Sequence, residues 1–365
     1  MYARSRLKQV VAVALAGVAL VLVGCTSLVP GIADLGLSLK KGKPFVLAAV
    51  EGRYGWGFAS HPYMCGTGAY VRVEFNLSGD GGVGDPPPDL QGLSPAVSLD
   101  GGANWIFGQN AITSTADRVC WGAILPDGRY LPPPPFRDVS GLTYGSVSSP
   151  GLVLDDGRIV FASYGYRDGE EKATTVLLAS TNEGASYFLA SVIADVKLVP
   201  WTGDLRDARS EGPCEPALVH LGGQELLCIM RTGTQTDPSG RGGSRPMLQA
   251  RSLDGGKTWK YHQMLIGGVM PKLRLLSNGV LVLATGRPGN SLYFSTDGGR
   301  SWPREVSISG PSYATSGYCD LQEVTPGRLL VAYDLLSSPI DRFWLWEPKL
   351  FNGIMGVYID VRRRF

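Results

Sequence analysis

Two arginines stand at the same position in two successive units of the sequence. Each unit consists of an apolar segment, a turn glycine and a second apolar segment, and the turn glycines are Gly223 and Gly279. Counting eight residues onward from each glycine reaches Arg231 and Arg287. The planar guanidinium of arginine binds carboxylates through two parallel hydrogen bonds. Because the two arginines occupy equivalent places, we expect them to point at a common centre and to hold an acidic ligand there.

Histidine and cysteine are too sparse to suggest a metal cluster. The chain has three histidines and six cysteines, and no two cysteines have the C-x-x-C spacing of zinc sites. The five cysteines that follow Cys25 cannot all pair, and the sequence does not choose among the pairings. We therefore expect neither a metal nor a cofactor, and we interpret most of these cysteines as small buried residues.

A recurring octapeptide identifies elements that would position the arginines. The pattern Ser-x-Asp-x-Gly-x-x-Trp occurs at residues 98–105, 252–259 and 295–302, with a weaker copy at residues 180–187. The Asp side chain can accept hydrogen bonds from the amides of its own turn, and the glycine supplies a positive φ. The tryptophan can pack back across the hairpin. The octapeptide therefore predicts hairpin turns, which is a structural role that says nothing about catalysis.

Paired apolar segments around a glycine turn lie between the octapeptides. Five such units are visible, and a sixth can close from residues 354–361 with residues 45–50. Two strands followed by a hairpin make a four-stranded blade, and strand-only repeats of about 40–50 residues are typical of β-propellers. The sequence therefore predicts an all-β fold, a six-bladed β-propeller of four-stranded antiparallel blades that occupies residues 45–365.

The octapeptides resemble the Asp boxes of sialidases (neuraminidases) and their relatives. Residues 215–232, 281–288 and 316–322 are similar to the segments that hold the sialidase site, and the similarity extends over most of residues 62–335. The resemblance implies a sialidase-like propeller that acts on a sialylated or other acidic glycan.

The resemblance also implies a role for each residue of a Glu–Arg–Arg–Tyr series. Tyr318 would be the nucleophile, and Glu215 would be the base that removes its proton. Arg231 and Arg287 would hold the carboxylate of the sugar. A neutral tyrosine suits such a substrate, because a carboxylate nucleophile would be repelled by about 1 kcal/mol at 4 Å in water and by more in a drier site.

The first unit departs from the sialidase pattern. Sialidases have an arginine two residues before the proline that opens the first inner strand, where this chain has Ser60, and another at the end of the next strand, where it has Asn76. A third carboxylate-binding arginine is therefore not visible. Arg53 or Arg72 would have to substitute for it from elsewhere.

The sequence is compatible with two functions, a hydrolase and a binding protein. Asp80 fits best as the general acid of an exo-α-sialidase-like hydrolase, and Asp85 is the second choice. The alternative is a non-catalytic Asp-box propeller that binds glycan or protein at the cell surface. A purely structural propeller would explain the boxes but not the Glu–Arg–Arg–Tyr series.

The composition excludes several other classes of protein. Charged residues make up 18% of the chain, against about 25% on average, which indicates a large buried interior. The formal net charge is +2, and Arg4, Arg6 and Lys8 lie in an N-terminal segment without acidic residues. Because the remainder is close to neutral, we expect no binding of nucleic acid. We expect the protein to be a monomer.

The N-terminal segment has the pattern of an export signal. Its basic residues precede an apolar run at residues 10–23, which is shorter than the roughly 20 residues needed to span a bilayer. The run ends in Leu22-Val23-Gly24-Cys25, which resembles a bacterial lipobox. We therefore predict a lipoprotein signal peptide at residues 1–24, lipidation of Cys25, and a tether at residues 25–44. The protein would be anchored to a bacterial membrane, at the outer membrane or the cell surface. The alternative is an ordinary signal peptide with a chance cysteine.

Replacing Cys25 tests the predicted anchor. In the Cys25→Ser variant the lipid has no attachment point, so the protein should leave the detergent-extractable membrane fraction and appear in the soluble fraction. Fractionation of cells followed by immunoblotting measures this. Unchanged membrane association of the variant would contradict lipidation at Cys25.

Overall fold

Short β-strands carry nearly all the regular structure in the part of the chain that the structure describes. The computed structural model describes residues 36–51, 59–78, 85–108, 122–135, 139–200, 210–233, 245–310, 315–336 and 351–364. Residues 38–362 form one compact unit. The described residues 36, 37, 363 and 364 belong to a second unit, within which the amide of Arg364 donates to the carbonyl of Gly36. The signal peptide, Cys25, Arg53 and Asp80 lie outside the described residues.

Three antiparallel sheets have four strands each, in chain order. Blade I consists of β3 (Ser60–Cys65), β4 (Val71–Asn76), β5 (Ala96–Ser98) and β6 (Ile106–Phe107). Blade III consists of β14 (Ser210–Gly222), β15 (Glu225–Gly233), β16 (Pro246–Ser252) and β17 (Lys260–Gly267). Blade IV consists of β18 (Val269–Leu275), β19 (Leu281–Gly286), β20 (Asn290–Ser295) and β21 (Arg304–Ser307).

Two further sheets have five strands, and one small sheet has two. Blade II runs in the order β10 (Leu152–Val153), β11 (Ile159–Tyr166), β12 (Ala173–Ser180) and β13 (Phe188–Ala194), with β9 (Tyr144–Val147) also paired to β11. Blade V runs in the order β1 (Leu37–Lys41), β24 (Phe351–Arg363), β23 (Arg328–Leu336) and β22 (Cys319–Thr325), with β2 (Phe45–Glu51) also paired to β24. The two-stranded sheet joins β7 (Ala123–Ile124) to β8 (Tyr130–Leu131).

The prediction of an all-β propeller with antiparallel four-stranded blades is confirmed, but the predicted number of blades is wrong. The described residues form five blades, not six. The C-terminal segment expected to close a sixth blade is β24, which pairs with β23 from Arg328↔Asp360 to Leu336↔Asn352. Strand β2 pairs with β24 in turn. The segments counted as a separate unit therefore complete blade V, and they take the place of the octapeptide hairpin that this blade lacks.

Apolar side chains fill the seams between neighbouring blades. One buried cluster combines Met64 and Val73 of blade I with Leu330 and Ile354 of blade V. A second cluster combines side chains of blades II and III in the same way. Each sheet is thus buried on faces that meet the next blade, and the hydrophobic effect stabilises the blades as a set.

The octapeptides form the predicted hairpin turns between the third and fourth strands of their blades. In blade III, Asp254 Oδ1 accepts hydrogen bonds from the amides of Lys257 and Thr258 at 3.0 and 2.9 Å. Asp100 and Asp297 repeat these contacts. The amide oxygen of Asn182 accepts one of them in the weaker copy. The expectation that Asp254 and Asp297 serve their own turns is confirmed.

The second glycine of each turn lets the hairpin approach the preceding blade. Gly256 has φ of +87°, and a Cβ at this position would lie 2.3 Å from Leu177 Cδ2 of blade II. Trp259 Nε1 donates to Ser191 Oγ of the same neighbouring blade at 3.1 Å. The turn therefore joins blade III to blade II, and only glycine fits at its tightest contact.

No helix in the described ranges has the length and apolar character needed to cross a membrane.

Removing the turn acceptor should lower stability without disturbing the rest of the molecule. Asp254→Ala leaves the turn amides without their acceptor, so the free energy of unfolding should fall by about 0.5–2 kcal/mol, as on loss of another side-chain cap. Urea unfolding measures this. The matched variant Asp254→Asn keeps an acceptor oxygen, like that of Asn182 in the weaker copy, so its free energy of unfolding should fall clearly less. Equal losses in both variants would contradict the assigned role.

Candidate active site

Three inner strands share a backbone irregularity in the first half of each strand, which is a positive φ directly before a proline. His61, Glu215 and Met270 each precede a proline and have positive φ values of 54°, 47° and 43°. The ladders of β3, β14 and β18 shift register at these positions. A positive φ is uncommon for residues other than glycine, and bulges re-aim side chains. Strain of this kind clusters at functional sites, which supports a site at this mouth of the central channel.

Glu215 lies at the centre of the site. Its Oε1 accepts hydrogen bonds from Tyr318 Oη at 2.8 Å and from Arg231 Nη1 at 2.9 Å. Its Oε2 accepts a hydrogen bond from the Met270 amide at 2.7 Å. The side chain is buried. The positive φ of Met270 directs its amide at this carboxylate, so donors from blade III, from blade IV and from the segment just before β22 meet at one residue.

The surroundings of Glu215 keep it ionised. Burial alone would raise the pKa of Glu215, but the charge of Arg231, the Met270 amide, the Tyr318 hydroxyl and the charge of Arg287 outweigh burial and lower it. Burial and the neighbouring Glu215 raise the pKa of Tyr318 well above its usual value. At neutral pH the pair therefore consists of a carboxylate and a protonated phenol, which are the states required of a base and the nucleophile it activates.

Arg231 is held rigidly beside Glu215. Its Nε donates to the Gly233 carbonyl at 2.8 Å, and its Nη2 donates to Glu211 Oε1 at 3.2 Å. Burial alone would lower the pKa of Arg231, but the nearby acidic groups, Glu215 first, raise it. A guanidinium has five N–H donors, and among the described residues the bonds to Gly233, Glu211 and Glu215 use three of them, which leaves two for a ligand.

Arg287 lies on the other side of Tyr318. Its Nε donates to the Ser316 carbonyl at 2.8 Å, and its guanidinium carbon lies 5.7 Å from the centroid of the Tyr318 ring. Burial lowers the pKa of Arg287. The structure thus brings Arg231, Arg287, Glu215 and Tyr318 together, as the sequence predicts.

A buried carboxylate fixes the segment that carries Tyr318. Asp334 is fully buried and accepts hydrogen bonds from Thr315 Oγ1 at 2.6 Å, from the Ser316 amide at 2.7 Å and from Ser316 Oγ. Its Oδ2 also accepts a hydrogen bond from the His61 amide at 2.9 Å. Asp334 therefore connects the Tyr318 segment to blade I.

His61 contacts Ser60 and Asn76, the two positions at which the resemblance to sialidases implies an arginine. Ser60 Oγ and Asn76 Nδ2 lie 2.7 and 3.3 Å from His61 Nδ1. The His61 ring meets the Tyr318 ring edge-on, with the centroids 4.6 Å apart. Arg72 does not substitute in the site, because its guanidinium pairs with Glu74 at 2.7 Å. Ser60, His61 and Asn76 therefore place hydrogen-bonding groups, and no guanidinium group, in this part of the site.

Some residues predicted for the site do not lie in it, and some residues of the site were not predicted. Asp85 is exposed, and Asp80 is outside the described ranges. Cys214, Cys228 and Cys319 are free and buried, as expected, whereas Cys65 is free and partly buried. Sequence reasoning did not single out His61, Asp334 or Glu211 for the site. The repeated Xaa-Pro at inner-strand starts is a signal that would have pointed to His61.

The comparisons with known proteins show the fold. No family model matches the sequence, and the search of curated proteins found no match. A protein of unknown function from Dyadobacter fermentans has 16% identity and a TM-score of 0.58, covering 89% of this chain and 99% of its own. The Trypanosoma rangeli sialidase, solved with the inhibitor DANA, has 12% identity and a TM-score of 0.50. That match covers 83% of this chain and 55% of the sialidase. The chain therefore has a sialidase-like propeller fold.

The buried carboxylate should make stability depend on pH. The pKa of Glu215 is lower in the folded protein than in the unfolded chain, where it is about 4.3. The ionised carboxylate therefore stabilises the fold above about pH 4.3, and this stabilisation is lost as the pH falls through the pKa of the folded protein. Glu215→Gln should cost about 3–5 kcal/mol at pH 7, because it breaks a buried ion pair. The difference from wild type should shrink below about pH 4. Urea unfolding between pH 3 and 7 measures it.

Glu225→Gln in the same blade is the control for this experiment. Its carboxylate pairs with Arg251 and Arg300 near the surface, so its loss should cost less than about 1 kcal/mol. A loss for Glu215→Gln that stays constant across the pH range would contradict an ionised, stabilising Glu215.

Proposed function

We propose that the protein is an exo-α-sialidase-type glycoside hydrolase that releases a terminal sialic or related acidic sugar. The observation that carries this proposal is the 2.8 Å hydrogen bond from Tyr318 Oη to Glu215 Oε1, flanked by Arg231 and Arg287. This is a nucleophile within reach of its base, beside two groups that bind carboxylates.

The proposed reaction has two steps. As Tyr318 Oη attacks the anomeric carbon, Glu215 takes its proton and the bond to the leaving group breaks. The leaving oxygen needs a proton, which we assign to Asp80 from the sequence. Water then attacks the anomeric carbon of the tyrosyl intermediate and gives a proton to the Asp80 carboxylate, while the bond from the sugar to Tyr318 breaks and Glu215 returns the proton to Tyr318 Oη. Arg231 and Arg287 stabilise the substrate carboxylate while the ring becomes oxocarbenium-like.

The electrostatics of the site favour this use of a tyrosine. The substrate carboxylate would enter a cluster in which Arg231 and Arg287 lie beside the buried carboxylates of Glu215 and Asp334 and the partly exposed carboxylate of Glu211. An anionic nucleophile would be repelled by the substrate carboxylate. A neutral phenol avoids the repulsion and becomes anionic only as the bond forms.

We propose that the enzyme works outside the cell. The export signal and the lipobox-like sequence before Cys25 support a lipoprotein anchored to a bacterial membrane. There it would meet sialylated or other acidic glycans, acting as a monomer and needing neither metal nor cofactor.

A second candidate function is binding of an acidic glycan, or of a protein, without cleavage. The Ser60–His61–Asn76 cluster favours it, because hydrogen-bonding groups stand where sialidases have the third arginine of the carboxylate cradle. Such a site would still recognise a carboxylate through Arg231 and Arg287. It would lack part of the binding energy that sialidases direct at the transition state.

Loss of the Tyr318 hydroxyl should separate binding from cleavage. Tyr318→Phe keeps the ring and its packing but removes the attacking oxygen, so turnover of an aryl α-sialoside should stop. Binding of the inhibitor DANA should stay within a few-fold of wild type. Release of the aryl group measures turnover, and calorimetry measures the binding of DANA.

Two variants serve as controls. Tyr333→Phe removes a hydroxyl from β23 outside the site and should leave turnover unchanged. Arg231→Lys keeps the charge but loses the planar fork, so it should weaken binding and turnover together. Wild-type protein that binds DANA without cleaving sialosides would favour the glycan-binding function. Wild-type protein that does neither would contradict both cleavage and binding of sialic acid-type ligands at this site.

A further inference from the structure

Alternation along two inner strands places a second set of polar residues deeper in the channel. On β18, Lys272 and Arg274 share a face, since side chains of a strand alternate and the ladder is regular after the register shift at Met270. On β22, Asp320 and Gln322 share a face in the same way. Met270 belongs to the site already described, so Lys272 and then Arg274 lie progressively further from it.

A buried layer separates the two ends of the channel. Lys272 Nζ lies 3.8 Å from Asp320 Oδ2 and donates to the Ser148 carbonyl at 3.2 Å. The same ammonium lies 5.1 Å from the centroid of the Tyr63 ring. Lys272 and Asp320 are both buried. Lys272 and Asp320 therefore pair with each other between the Met270 end and the Arg274 end of β18.

Beyond this layer is a cavity of about 270 Å³. Cys65 and Arg274 line it from the ends of β3 and β18 that lie opposite to His61 and Met270, so the cavity is at the other end of these strands from the candidate active site. Its polar lining includes Thr67, Tyr70, Arg72, Tyr130 and Arg274, and Cys65 also borders it. The volume is slightly below the usual range of ligand pockets and fits a single six-membered ring.

The cavity carries one cationic group that is not neutralised by the described residues. Arg72 is paired with Glu74, with 2.7 Å between Nη2 and Oε1. Arg274 donates from Nη2 to the Leu321 carbonyl at 3.3 Å, while its Nε is buried and makes no hydrogen bond within the described part of the chain. A buried donor without an acceptor costs free energy, and an anion in the cavity would supply both the acceptor and the opposite charge.

We propose that this cavity is a second ligand site, which takes a small ring-shaped molecule through its carboxylate. Arg274 provides the charge and the donor for the carboxylate, and the rings of Tyr70 and Tyr130 provide surfaces for the ring of the ligand. The site is independent of the proposed catalytic site, because the buried layer of Lys272 and Asp320 lies between them.

Cys65 offers a local reporter of occupancy. It is free and partly buried and borders the cavity, whereas Cys214, Cys228 and Cys319 are buried. Benzoate bound at Arg274 should slow the reaction of Cys65 with neutral iodoacetamide at least fivefold. Peptide mass spectrometry of the full-length protein assigns the modified cysteine. Benzamide, which has the same shape without the charge, should not protect it.

Replacing Arg274 decides whether the protection comes from this site. Arg274→Met keeps the length of the side chain without its charge, and benzoate protection should disappear. Arg231→Lys alters the proposed catalytic site and should leave the protection intact. A second probe, glucuronate, distinguishes an acidic sugar from an aromatic acid by which of the two protects at the lower concentration.

Three results would overturn the proposal: no protection of wild-type Cys65 by either probe, equal protection in Arg274→Met, or equal protection by benzamide. If Cys65 does not react with iodoacetamide, calorimetry with benzoate replaces the labelling. Heat of binding should then be lost in Arg274→Met and kept in Arg231→Lys, and the reverse pattern would overturn the proposal. None of these readouts depends on sialoside turnover, so failure of the proposed enzyme activity leaves this test unaffected.

Discussion

A buried carboxylate requires donors, and the arrangement of the site follows from that requirement. Glu215 accepts hydrogen bonds from Arg231 of its own blade III, from the Met270 amide of blade IV and from Tyr318 next to blade V. Without these donors, burial of the charge would cost several kcal/mol. The positive φ values of Glu215 and Met270 are the local backbone strain needed to bring carboxylate and amide together. The positions of Tyr318, Glu215 and Arg231 relative to one another therefore follow from one buried charge.

Contacts between the blades hold the strained backbone and the buried charge of Glu215 in place. Blade V contains strands from both ends of the chain, so closure of the propeller depends on pairing between β2 and β24. The turn glycines, such as Gly256 against Leu177, hold neighbouring blades in close contact at the periphery. Apolar clusters between blades I and V and between blades II and III stabilise the arrangement of the blades through the hydrophobic effect.

Much of this could be predicted from the sequence, for identifiable reasons. The octapeptides and the glycine turns are local patterns, so they predict hairpins, blades and the equivalent positions of Arg231 and Arg287 directly. The number of blades could not be read in the same way, because the pairing of β24 with β23 depends on long-range register. Tyr318 and Glu215 followed only from the resemblance to sialidases. The roles of His61 and Asp334 depend on backbone amides meeting across blades, and side-chain types alone do not reveal such contacts.

The central claim is that Tyr318 forms the bond to the sugar with Glu215 as its base. The most direct measurement is to mix the protein with an aryl α-sialoside that has a good leaving group, quench in acid during turnover and analyse the peptides by mass spectrometry. The account predicts a sialosyl adduct on the peptide that contains Tyr318, and no adduct in Tyr318→Phe. Turnover with the adduct on another residue, or an unchanged adduct in Tyr318→Phe, would contradict it.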